Sequence, residues 1–338
     1  MNYGLPYKGS KNRIAKRILD VLPAAPVLYD VFCGGCAVTH AALLSGKYSR
    51  VVANDINSMI PHAFEKALRG GFRTEDRWIS RDDFQKLYKT DPYAAICFSF
   101  GNNLHEYCYA RELEPYKRAL HYAIFWKDTG PWRELCPETA DALKAAVESE
   151  TDRHKRRIKA GRAIVKELKA GLMNGTIDPA VMDKPIYRKI RKEKTPGLKI
   201  KSAESVERLK SLETLQTDKS LCRLQSLERL DRINSVDVPP VLSVTTGNYR
   251  ALNFERGGII YCDPPYKTTS ERYGRDFDFA GFYAWCEHQA NPVFISEYTM
   301  SEDLFVPVAS FTVTRKMDTK KSSICPEKIW RPRCQLDI

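Results

Sequence analysis

No stretch of this chain has the unbroken apolar run of about 20 residues that a membrane helix needs. The most apolar segment, residues 24–44, is interrupted by Asp30, a glycine pair and His40. The start, MNYGLPYKGSKNR, has no apolar run behind its basic residues, so no secretory signal is expected. Acidic residues are scarce relative to basic ones: 42 Asp and Glu face 54 Lys and Arg, a formal net charge of +12. That imbalance favours a polyanionic partner, nucleic acid first, over an acidic metabolite. Cysteine is plentiful, but a cysteine framework is missing. The ten are scattered from Cys33 to Cys334 without a repeated spacing, as expected for reduced thiols in a cytosol. No second CxxC or His pair follows at finger spacing, so no structural zinc or other metal is expected, and the HxE and PCxxC pair of zinc deaminases does not occur.

What is present is a folding composition. The chain has 338 residues, 43% hydrophobic and 28% charged, enough for a buried core in two domains or in one domain with a large insert. From residue 25 the pattern is an apolar run (VLYDVF), a glycine pair, a helical stretch (AVTHAALLSG), a second apolar run (RVVAND) and another helical stretch. That order opens a parallel α/β sheet. Far downstream, GGIIY (257–261) reads as a buried strand ending at Asp263, and PVFISEY (292–298) as another, after a helix near 279–288. Both ends of the chain therefore belong to one sheet, residues 1–64 and 241–338, with residues 65–240 inserted between them.

The insert has three textures. Residues 84–126 are rich in aromatics and amides, including Asn102 and Asn103. Residues 151–200 hold fifteen Lys and Arg against five Asp and Glu, so most of the chain's surplus charge sits there. Residues 203–235 place an aliphatic side chain at nearly every third position from Val206 to Ile233, a period that fits neither an amphipathic helix nor a heptad.

Two motifs carry chemistry. Asp263-Pro264-Pro265-Tyr266 follows a buried strand, where open α/β sheets place their ligand crevice. At about 5% usage per residue type, a given tetrapeptide arises by chance in roughly one such chain in several hundred. Asp263 and the backbone carbonyl of Pro264 can both accept from one exocyclic amine, which frees its nitrogen lone pair, and Tyr266 offers a ring for a planar base to stack on. The second motif is Phe32-Cys33-Gly34-Gly35-Cys36, with Asp55 21 residues after Gly34 at the end of the next strand. Glycine after the first strand and an acid about 20 positions on suit a nucleoside-containing cofactor. The same loop spells Cys-Gly-Gly-Cys, a thiol redox pattern, but redox chemistry would leave the basic insert and Asp263 to Tyr266 without a purpose.

These motifs resemble the Dam-type, DPPY-containing D12 class of S-adenosylmethionine-dependent DNA adenine-N6 methyltransferases, in the variety common in phages and prophages. The resemblance covers Leu5 to Ser58 and Val244 to about Val306. It implies a Rossmann-like methyltransferase fold, an open parallel-type sheet flanked by helices, with a mostly helical target-recognition insert. It also implies S-adenosylmethionine as cofactor, double-stranded DNA as substrate and a cytoplasmic setting in a bacterial or phage-infected cell. The family's N-terminal motif corresponds to Tyr7-Lys8-Gly9-Ser10-Lys11, which makes Tyr7 and Lys11 cofactor contacts. Its phenylalanine and glycine loop corresponds to Phe32, Gly34 and Gly35, with Cys36 in place of the last glycine, and Asp55 becomes the ribose ligand. Its Gly-Asp-Phe reads Gly247-Asn248-Tyr249 here, so Asn248 takes the place of an acid at the cofactor's adenine. Asp263, Pro264, Pro265 and Tyr266 are the catalytic set, and Arg153, Lys155, Arg156 and Arg157 are expected to neutralise DNA phosphates. A carbon-5 cytosine enzyme is excluded because no cysteine follows a proline. An N4-cytosine enzyme and an inactive DNA-binding regulator remain as alternatives.

Overall fold

The computed structural model describes residues 2–187, 241–266, 277–315 and 323–336, with only the backbone described at 313–315 and 323–325. The leucine-rich repeat and the second part of the basic block lie outside the described residues. The chain divides into two compact units, Met1–Arg73 with Lys89–Pro92 and Arg229–Ile338, and Thr74–Tyr88 with Tyr93–Glu228.

The first unit is built on one seven-stranded sheet in the order β3-β2-β1-β4-β5-β7-β6. Its strands are β1 (Ala25–Asp30), β2 (Tyr48–Asp55), β3 (Val241–Thr246), β4 (Ile259–Cys262), β5 (Val293–Glu297), β6 (Phe305–Arg315) and β7 (Ser323–Pro332). Strands β1 to β5 are mutually parallel. β4 and β5 are buried at every position, as strands covered on both faces must be. β7 runs antiparallel to both β5 and β6, so the sheet is mixed but mostly parallel, in keeping with the open parallel-type sheet expected. This is the Rossmann-like arrangement that the resemblance implies.

Helices α1 (Ala15–Val21), α2 (Ala37–Ser45) and α3 (Met59–Leu68) follow the early chain, and Phe279–Glu287 forms a helix between β4 and β5, here α10. The two-residue period of β1 sorts its side chains by face. Val27, Tyr29 and Val31 join Phe282 and Cys286 of α10 in one core cluster with Ile260, Val293 and Trp330. Leu28 and Asp30 take the other face, where Asp30 meets Thr39 of α2. The strand order reverses direction between β1 and β4, which puts a crevice at the carboxyl ends of those strands. Asp30 and Asp55 are the last residues of β1 and β2, and Asp263 is the first after β4.

The second unit is helical among its described residues. It holds α4 (Arg81–Leu87), α6 (Glu114–Trp126), α7 (Gly130–Leu135), α8 (Ala140–Glu148) and the 22-residue α9 (Arg153–Asn174), while α5 (Pro92–Cys97) begins at its border. Leu120, Ile124, Trp132, Leu143, Val147, Ile164 and Leu168 share its core. Asp152 caps α9, its Oδ1 accepting from the backbone N–H groups of His154 and Lys155. None of the described helices is long and apolar enough to cross a membrane.

Candidate active site

The glycine loop between β1 and α2 is clamped from three sides. Gly34 N–H donates to Asp55 Oδ2 at 2.9 Å, and Cys33 N–H donates to the Asn54 carbonyl, also at 2.9 Å. Leu5 N–H reaches the Gly35 carbonyl at 2.7 Å, which lays Tyr7 along the turn. A Cβ on Gly35 would sit 2.5 Å from Tyr7 Cβ, and Gly34 has a φ of +44°, so both positions require glycine. Cys36 adopts φ +56° without that freedom. Tyr7, Gly34, Gly35 and Asp55 are thus brought together as the sequence implied. Phe32 packs in an aromatic group with Tyr249, Phe277 and Phe282, and Tyr249 is next in sequence to Asn248. Cys33 and Cys36 lie as buried thiols with sulfurs 3.6 Å apart, and burial pushes both pKa values up, which disfavours the thiolate a redox motif needs.

Asp55 also accepts from Asn57 N–H at 2.9 Å through Oδ1. Burial raises its pKa against the opposing pull of the Asn57 and Gly34 amides. Thr246 at the end of β3 pairs with Asp55, and Gly247 N–H bonds its carbonyl, so Asn248 stands beside Asp55 at the same sheet edge. The Asn248 side-chain oxygen accepts from Arg250 N–H at 3.0 Å and caps the short turn after it.

Asp30, read in the sequence only as a break in an apolar run, is 1% exposed. Its Oδ2 accepts from Thr39 N–H and Oγ1 at 3.0 and 2.6 Å, and its Oδ1 has no hydrogen-bond partner among the described residues. Burial lifts its pKa to about 7, against the two Thr39 bonds that act to lower it. A buried acceptor with a spare oxygen, next to a glycine loop and a second strand-end acid, fits a ligand that carries both a cationic group and a ribose.

At the end of β4, Asp263 meets Lys11, whose ammonium is 2.8 Å from Oδ1. The same ammonium is 3.6 Å from Glu327 on β7 and 4.6 Å from the centre of the Tyr266 ring. Tyr266 donates its hydroxyl to Glu327 and packs edge-on with Tyr298, centroids 4.5 Å apart. Burial raises the Asp263 pKa to about 6; Lys11 opposes the rise and Glu327 adds to it. Lys11 is held protonated: burial acts against its charge, but Asp263 and Glu327 outweigh it and its pKa goes up. Lys11, expected at the cofactor, therefore sits on the carboxylate of Asp263. Glu327 and Asp30 were both missed from sequence. Asp30 ends a strand just as Asp55 does, and that parallel is the signal that marks it.

The predicted basic cluster separates. Arg156 and Arg157 are buried, 6% and 7% exposed. Arg156 spends its guanidinium on the carbonyls of Glu150, Thr151, Ile124 and Phe125. Arg153 donates to the Glu75 carbonyl at 3.1 Å and stacks on Phe125. Of the four, Lys155 alone is exposed. Arg156 and Arg157 are thus corrected from phosphate contacts to interior residues of α9. Asn102 donates its amide to the Ile96 carbonyl of α5, and Asn103 donates to Glu106 within its own loop.

No curated protein matches the chain. The family model for D12 class N6 adenine-specific DNA methyltransferases matches residues 7–122, about a third of the chain, including Lys11, the glycine loop and Asp55. With that match on a Rossmann-like sheet whose β4 is followed by Asp263-Pro264-Pro265-Tyr266, the chain is an adenine-specific DNA methyltransferase with S-adenosylmethionine as its methyl donor, similar over residues 7–122 to the D12 class.

Proposed function

We propose that methyl transfer occurs at Asp263, with the target adenine's N6 amine held between the Asp263 carboxylate and the Pro264 carbonyl. The observation that carries this reading is the placement of Asp263 at the carboxyl end of β4 beside β1, with Lys11 fixing its charge. Bound S-adenosylmethionine supplies a methyl group made electrophilic by a positive sulfur. Asp30, Asp55, Asn248, Tyr7 and the turn at Gly34 and Gly35 would hold it, Asp55 at the ribose and Asp30 through its Oδ1, which has no partner among the described residues, at a cationic group. Asp263 and Pro264 accept the two amine hydrogens, which frees the nitrogen lone pair to take the methyl group, and the proton displaced from the nitrogen passes to solvent water. Asp263 accepts fully only as a carboxylate, so activity rises with pH through about 6.

An amine in a Watson-Crick pair cannot also meet Asp263, so the adenine is extruded from double-stranded DNA at a cost of a few kcal/mol, offset by stacking on Tyr266 and the two hydrogen bonds. The second unit supplies contacts to the DNA backbone. Beyond Arg153 and His154 in its first turn, the exposed or half-exposed bases on α9 are Lys155, Lys159, Arg162, Lys166 and Lys169, spaced four, three, four and three residues apart. They form one stripe about 21 Å long, opposite the face that buries Ala160, Ile164 and Leu168. This stripe takes the role first assigned to Arg156 and Arg157. The cytosol of a bacterial or phage-infected cell, with or without a restriction partner, is the setting in which such an enzyme meets its DNA.

Nucleoside mass analysis of DNA incubated with the chain tests the chemistry: N6-methyladenine is expected with wild type and none with Asp263→Ala. Turnover retained by Asp263→Ala would remove the residue from the mechanism. For the stripe, replacing Lys159, Arg162 and Lys166 by Gln is expected to reduce the salt slope of DNA binding by roughly 2.7, about 0.9 per phosphate, on every sequence alike. An unchanged slope would make the stripe an ordinary solvated face.

A further inference from the structure

Glu327 lies on β7, far in sequence from both motifs and outside the span the family model matches. It is 3% exposed; two hydroxyls donate to its Oε1, Ser296 Oγ at 2.7 Å and that of Tyr266, and the Lys11 ammonium forms an ion pair with the same oxygen at 3.6 Å. A buried carboxylate is costly, and a well-packed apolar residue usually serves stability as well or better. Its partners here are the ring and the ammonium that border Asp263. We propose that Glu327 is a positioning residue for methyl transfer, holding Tyr266 by its hydroxyl and Lys11 by its charge so that ring, ammonium and Asp263 keep one arrangement.

The proposal rests on the assignment of Asp263 as the amine acceptor. Asp263 is faced by Lys11 from the N-terminal segment, Glu327 from β7, Tyr266 from its own loop, Tyr261 from β4 and Asp30 from β1. Two carboxylates therefore share one ammonium. Glu327 makes Asp263 harder to ionise, and the bonds from Lys11 and Tyr266 make it easier. Glu327 also accepts the hydroxyl of Tyr266, so Tyr266→Phe is not the near-silent change that a ring used only for stacking would allow.

The experiment uses the full chain and single-turnover methylation of duplex DNA across pH, with cofactor affinity measured by calorimetry. Wild type must form N6-methyladenine and Asp263→Ala must not; failure there overturns the assignment of Asp263 and says nothing of Glu327. Given that control, Glu327→Gln is expected to keep cofactor affinity, to lose roughly tenfold or more in the methylation rate while half-saturating DNA stays within about threefold, and to shift the acid limb to lower pH. Tyr266→Phe, with Glu327 intact, is expected to lower the rate and shift the limb to higher pH. The double variant should be no slower than the worse single one, because both break the same bond. Glu327→Gln at wild-type rate, or with an unmoved limb, overturns the proposal. Should that variant not fold, Tyr266→Phe with wild-type rate and limb overturns it equally.

Discussion

Arg156→Ala separates the two roles that a basic residue in a DNA-binding insert can have. If the residue faced phosphates, its loss would cost little stability and reduce the salt slope of DNA binding by about 0.9. The structure instead gives its guanidinium four carbonyls: Glu150 at 3.0 Å, Thr151 at 2.8 Å, Phe125 at 3.4 Å and Ile124. Ile124 and Phe125 lie in the last turn of α6, where carbonyls lack helical partners, so one side chain caps α6 and ties it to the start of α9. Three such bonds at about 1–1.5 kcal/mol each come to roughly 3–5 kcal/mol, with the fourth too long to add much. A drop of that size lowers the melting temperature by roughly 6–20 °C in a unit of this size. Arg156→Lys, with three donors on a single nitrogen, cannot reach all four carbonyls and falls between. Thermal and urea unfolding of the full chain give the stability, and DNA titration at several salt concentrations gives the slope. An Arg156→Ala protein as stable as wild type, with its slope reduced by one contact, would refute the capping role and restore the phosphate contact.

Lys11→Met removes the cation from Asp263 and leaves it buried, so the Asp263 pKa climbs above about 6; the methylation rate at neutral pH should fall and recover in part as pH rises, and an unmoved acid limb would detach Lys11 from Asp263. Asp55→Ala is expected to weaken S-adenosylmethionine binding by calorimetry, whereas Asp263→Ala keeps it; equal loss in both would mean the two roles are wrongly divided. For stability, the Asp30 pKa is raised to about 7, so the folded state binds this proton more tightly than the unfolded chain does. The contribution is fully present below about 4 and lost as pH rises through about 7. Asp30→Asn should flatten that decline in the urea midpoint, and an identical pH profile would show that Asp30 does not titrate there.

How much of this was legible in the sequence depended on what each residue's neighbours revealed. β1, α2 and β2 could be read because short apolar runs alternate with a glycine turn and a helical run, and Asp263 because two prolines follow it at a strand end. β7 could not. Its stretch CPEKIWRP mixes two prolines with three charges, a composition that argues against a strand, and pairing with both β5 and β6 overrides it. Glu327 was lost with that strand. In α9 the charge count was visible but not its direction: Lys155 and Arg156 are adjacent in sequence, yet one is exposed and the other is spent inside on carbonyls. A 3.6-residue period sorts them only once the buried face is known.

The carboxyl edge of the sheet collects acids that the fold alone would be better without. Asp30, Asp55 and Asp263 end three neighbouring strands or directly follow them, and each has its pKa raised, with burial as the first cause. A raised carboxylate pKa means that stability falls as pH climbs past the unfolded value, so above about 7 the protein carries these charges at a cost. The proposed methyl transfer needs the opposite state, because in that reading ionised Asp263 accepts both from Lys11 and from an incoming amine. Stability and activity therefore run in opposite directions between about pH 4 and pH 7. Lys11 is the compromise between them, since it lowers the pKa of Asp263 without adding an acid, and Glu327 then holds that ammonium in place from across the sheet. A site built only to stabilise the sheet here would fill the same space with apolar side chains; this one keeps two carboxylates around one cation.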